Sequence, residues 1–105
     1  MERLKYYEKN IVTEEKNVYR MEYSLLMQSA DGGNCFGVAV QKTDAEGNLE
    51  KDEVEGLCEN REDTERFLFR LAEGLALPVE LASLCDDFIS EKEFVENMNE
   101  MRSAR

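Results

Sequence analysis

The stretch YRMEYSLLMQSADGGNCFGVAV, residues 19–40, decides the fold. Its odd positions Tyr19, Met21, Tyr23, Leu25 and Met27 are apolar, while Arg20, Glu22, Ser24 and Gln28 fill most of the even ones. Successive side chains of a strand point to opposite faces, so this alternation predicts a half-buried strand. Residues 30–34, ADGGN, tolerate positive φ, and Phe36, Val38 and Val40 then resume the alternation with Gly37 and Ala39 on the opposite face. Two antiparallel strands joined by a turn follow from that pattern.

Working outward, DAEGN at 44–48 is a second turn signal, and LEKDEVEGL at 49–57 spaces its apolar residues Leu49, Val54 and Leu57 without strict alternation. The spacing predicts a further strand, bulged or at an edge where its carboxylates stay solvated. Upstream, LKYYEKNIV at 4–12 leads through the polar TEEKN into the strand at Tyr19. It is read as a strand, although Leu4, Tyr7 and Ile11 also fit one face of a helix.

The period changes after residue 58. Asn60 is placed to cap a helix with Asp63 in its first turn, Phe67, Leu68, Leu71 and Ala72 form one apolar stripe, and Gly74 stands where the helix should stop. Pro78 suits the first position of a second helix, which carries Leu81, Leu84, Cys85, Phe88 and Ile89 along one side. Ser90 and Glu93 have capping-box spacing, so the chain is expected to break there and restart as a last helix bearing Phe94, Val95, Met98 and Met101. The order of elements predicts an α+β fold: an antiparallel meander of three or four strands followed by two or three helices packed on one face. The 105 residues suit a single domain over 1–89 with a helical extension of the same domain over 90–105.

Charge narrows the function. The chain carries 24 acidic and 13 basic residues, a formal net charge of −11, with no basic stripe. It would repel a phosphate backbone, so nucleic acid is excluded as a partner. No segment reaches the roughly 20 apolar residues of a membrane span, and the first residues lack the apolar run of a signal peptide. A soluble, cytoplasmic protein is expected. The three cysteines, Cys35, Cys58 and Cys85, are widely spaced with no CxxC pair, which argues against a disulfide framework or a zinc knuckle. The chain has no histidine, and so lacks the commonest general base and transition-metal ligand.

The segment LPVELASLCDDFI, residues 77–89, sets two carboxylates beside a thiol. At 100° per residue, Leu81, Leu84, Cys85 and Phe88 share one arc, while Asp86 and Asp87 point to either side of the opposite face. Neighbours in a helix do not face each other, so the pair alone neither shares a proton nor chelates an ion. Cys85 lies on the apolar arc and is read as packing. The acidic run 44–56 does not match a calcium loop of the EF-hand kind, because Gly47 is fourth from Asp44 where such a loop needs glycine sixth. The glycine-rich residues 30–37 join two strands, a weak setting for a phosphate loop.

Taken together, the strand YRMEYSLL, the strand FGVAV, an acidic third strand, a helix, and a Pro-initiated helix ending in DDFI resemble a family of small bacterial domains of unknown function. The resemblance spans residues 18–89. Pro78, Leu81, Asp86, Asp87 and Phe88 fit its last motif, and Glu80 stands where that motif has histidine. It implies the architecture and carries no activity.

The leading expectation is a non-enzymatic protein-binding or regulatory module, acting on a protein partner or through self-association, with Phe94, Val95, Met98 and Met101 as its partner-binding residues. The alternative is a small-molecule or cation-binding domain using surface carboxylates, those of Asp44 to Glu55 together with a site at Glu80, Asp86 and Asp87. An enzyme comes third, and needs Cys58 or Cys85 exposed beside a base such as Glu80 or Lys51. No catalytic set, cofactor or resident metal is expected.

Overall fold

In the computed structural model, the backbone is described for residues 1–30 and 32–103, and side chains for 1–29 and 32–93. Four strands, β1 (Glu2–Val12), β2 (Val18–Ala30), β3 (Gly33–Asp44) and β4 (Leu49–Cys58), precede helix α1 (Arg61–Glu73), a short 3-10 turn (Pro78–Glu80) and helix α2 (Leu81–Ser103). The strands form one antiparallel sheet in sequence order, β1-β2-β3-β4. This is the expected α+β meander, with β4 both bulged and at an edge.

The central hairpin keeps an unbroken register from Tyr19↔Asp44 to Ala30↔Gly33. Its inward side chains Met21, Tyr23, Leu25, Phe36, Val38 and Val40 meet Phe67, Leu68 and Leu71 of α1 and Leu81, Cys85 and Phe88 of α2 in one buried cluster. Apolar area removed from water is the main driving term here, on the order of 2 kcal/mol for each such side chain. The Tyr23 hydroxyl, buried under the helices, donates to the Ala76 carbonyl at 3.0 Å. That bond ties β2 to the connection between the helices.

Residues 4–12 prove to be a strand, and their helix-like spacing has a local cause. The β1-β2 register shifts between Lys5 and Tyr7, leaving Tyr6 as an extra residue. One inserted residue reverses the facing of everything after it. Leu4, opposite Leu25, and Tyr7 and Ile11, opposite Tyr23 and Tyr19, therefore share the inner face at intervals of three and four.

A second irregularity lies in β4, where Phe36 pairs with Cys58 but Val38 already pairs with Val54. The surplus residues bulge over Gly37, and Gly56 takes φ 62 within the bulge. A Cβ on Gly37 would lie 2.1 Å from the Val54 carbonyl oxygen, so only glycine fits there.

Helix α1 begins as its sequence predicts, with the Asn60 side chain accepting from the Asp63 amide at 3.0 Å. It ends at Gly74, but the left-handed residue that follows is Leu75, at φ 52. The Ala76 amide then closes on the Leu71 carbonyl at 2.9 Å, as at many helix C-termini.

Helix α2 departs from expectation at Ser90. It continues through Ser90 and Glu93 to Ser103 without a break. A capping box starts a helix only where the backbone has left helical φ and ψ, and no glycine or proline in residues 81–103 forces it out. Ile89, expected on the apolar side, is 38% exposed, because α2 buries a narrower arc of Leu81, Cys85 and Phe88. No described helix is long and apolar enough to cross a membrane.

Candidate functional site

Helices α1 and α2 lie side by side on the sheet, and the space between them is a groove. The rings of Phe67 and Phe88 stack across its floor at 4.6 Å between centroids, 20° from parallel. The part toward the start of α2 is a cavity of about 330 Å³ lined by Phe67, Leu71, Leu84 and Phe88, with Arg70, Glu80, Asp87 and Glu91 at its rim. The part further along α2 is about 720 Å³ and adds Asp63, Arg66, Phe69 and Lys92. Volumes of this order are typical of ligand clefts.

Charge bridges the groove at two levels. Arg70 on α1 pairs with Glu91 on α2 at 3.8 Å, and Lys92 on α2 pairs with Asp63 on α1 at 3.4 Å. Arg66 also hydrogen-bonds Asp63 along α1. Arg70 and Glu91 are exposed and Lys92 and Asp63 partly so, and such solvated pairs contribute on the order of 1 kcal/mol or less to stability.

Residues singled out in the sequence are distributed unevenly around this groove. Glu80 stands at its mouth, but its carboxylate accepts from the Leu77 amide at 2.9 Å and so serves the entry into α2. Asp87 lines the groove, whereas the charge of Asp86, with that of Asp52 on β4, acts on Cys85. Both aspartates are exposed, and they diverge. Among the described residues no group of three His, Cys, Asp or Glu side chains could hold a metal ion. At the Asp44 turn, the carboxylate accepts from the Asn48 amide at 2.8 Å and the Asn48 side chain at 2.9 Å, which holds it below the usual carboxylate range. Its lone pairs serve the hairpin turn.

Two of the three thiols, Cys58 and Cys85, are poorly placed for nucleophilic chemistry. Cys58 and Cys85 are buried, and burial, helped by Asp86 and Asp52, pushes the Cys85 thiol up to about 11. A thiol there stays protonated at neutral pH. Phe94, Val95, Met98 and Met101 have side chains outside the described residues, although the helix that bears them is described. Arg66, Arg70, Glu91 and Lys92 went unremarked in the sequence. Arg66 and Arg70 are one helical turn apart, as are Asp87 and Glu91, but which rim faces which depends on how the helices pack.

The family of unknown function DUF6514 matches residues 1–91. The chain belongs to that family. No curated protein and no solved structure matches the chain. The DUF6514 span takes in all four strands, α1 and the first part of α2 as far as Glu91, so both rims of the groove fall within it save Lys92. Helix α2 runs on past the end of the match, through residues 92–103.

Proposed function

We propose that this DUF6514 domain is a non-enzymatic protein-binding module of the cytoplasm, and that the groove between α1 and α2 is its docking surface. The observation that carries this reading is the floor of the groove, where Phe67, Leu71, Leu84 and Phe88 line a cleft between two charged rims. An apolar cleft bordered by opposite charges suits an amphipathic helix: apolar anchors enter the floor and the rims set the register. The net charge of −11 favours protein over nucleic acid as partner. Phe94, Val95, Met98 and Met101, expected as partner-binding residues, follow further along the same helix, α2.

Capture from cell extract with three tagged proteins tests the reading: wild type, Leu84→Glu, which puts a charge on the floor, and Arg66→Glu with Arg70→Glu, which reverses one rim. The expected result is a partner held by wild type and lost from both variants while their thermal melts stay close to wild type. Equal capture by all three proteins overturns the groove as the docking surface.

A further inference from the structure

We infer that the occupant of this groove is a second copy of the same chain, related by a two-fold axis running along the groove, so that two helix pairs close into a four-helix layer between two sheets. The inference rests on the groove being a docking surface, and it adds the identity of the partner.

The argument is one of charge and symmetry. Two levels of the groove carry opposite signs on its two rims: Arg70 against Glu91 at 3.8 Å, and Asp63 against Lys92 at 3.4 Å. A two-fold axis along the groove keeps each level where it is and exchanges the rims, so α1 of one copy lies on α2 of the other. Arg70 then meets the second copy's Glu91, and Asp63 meets its Lys92. Both of these levels join opposite charges, twice over, as suits an isologous interface. An axis across the groove between Arg66 and Arg70 would instead set α1 on α1 and bring each Arg66 against the second copy's Arg70, which is repulsive. Helix pairs that stack in this way enclose a shared apolar core, here formed over Phe67, Leu84 and Phe88.

The rims are also the part of this acidic molecule that a like-charged copy can approach. Asp63, Glu80, Asp87 and Glu91 stand against Arg66, Arg70 and Lys92, close to balance, whereas residues 44–62 hold eight acidic against two basic residues and lie on the β4 side of the sheet and the turn into α1. Burying this patch leaves the surplus charge in solvent.

Sedimentation of the full chain, with Arg70→Glu and Glu91→Arg made as separate proteins, tests the inference. Wild type is expected to be a dimer at micromolar concentration. Each variant alone places like charges across the interface twice and should weaken dimerisation at least tenfold. In an equimolar mixture of the two, the carboxylate introduced on one chain faces the guanidinium introduced on the other, and the remaining native Arg70 and Glu91 face each other. Both intermolecular pairs are thereby restored, so a heterodimer should form with nearly wild-type affinity. Ion pairing within one chain cannot produce that rescue. A wild type that stays monomeric at all concentrations overturns the second copy as occupant, while loss of a captured partner in Leu84→Glu would still uphold the groove. A dimer indifferent to both substitutions overturns this interface.

Discussion

The two faces of the sheet are both buried along β2 and β3, by different means. The inner face presents Met21, Tyr23, Leu25, Phe36, Val38 and Val40 to two helices. The outer face carries Ser24, Leu26 and Ala39, each at most 7% exposed, yet Leu26 and Ala39 lie outside the helix-covered cluster. There the cover is made by side chains of the sheet itself: Arg3 on β1 reaches Glu53 on β4, and Gln28 on β2 donates to Glu55 on β4 at 3.1 Å. The small residues Gly37 and Ala39 on β3 leave room for these crossings. Burial by an added layer thus follows from large apolar residues, whereas burial within one layer follows from small ones.

Truncating a ring of the helix layer should have the largest effect. Phe88→Ala removes a stacked, buried side chain and leaves a cavity, and should cost about 4 kcal/mol in a urea melt. A loss under about 1 kcal/mol would mean that the sheet does not depend on its helical cover. Gly37→Ala strikes the outer face, where the new methyl meets the Val54 carbonyl oxygen at 2.1 Å. The bulge must shift, at about 3 kcal/mol, and amide exchange in β4 should rise ahead of that in β2. A neutral outcome would show that β4 re-registers freely, and the contrast between the faces would weaken. Arg3→Ala tests the roof alone. Its pair with Glu53 is 44% and 38% exposed, so the cost should stay under about 1 kcal/mol and shrink with added salt. A loss of several kcal/mol would mean that the ion pair, and not the small residues beneath it, holds that face together.

The same contrast explains what could be read in advance. Alternation along residues 19–27 and 36–40 exposes the inner face directly, because large apolar residues at every second position have one structural meaning. The outer face breaks the code at Leu26, one apolar residue in an otherwise polar set, and nothing nearby in sequence says that Arg3 and Glu53 will cross it. Leu4, Tyr7 and Ile11 are ambiguous because the bulge at Tyr6 gives a strand the spacing of a helix. Gly74 correctly marks the end of α1, although the positive φ falls on Leu75. Ser90 and Glu93 suggest a start that the continuous α2 never makes. At the candidate site Asp86 and Asp87 diverge as their adjacency on a helix requires. The groove itself was illegible, since Arg70 and Glu91 become opposite rims only when α1 and α2 pack side by side.

The strand order β1-β2-β3-β4 bears on how the chain acquires its structure. Every strand pairs only with its neighbours in sequence, so each hairpin can close as soon as it leaves the ribosome, with short loops and little entropy to lose. The helices that cover Met21, Tyr23, Leu25, Val38 and Val40 are made after them, and the cover is incomplete until Phe88 has been added. During synthesis the nascent meander therefore carries an open apolar face between two unpaired edges. The charged residues of β1 and β4, mostly exposed in the finished fold, guard those edges against other chains over that interval.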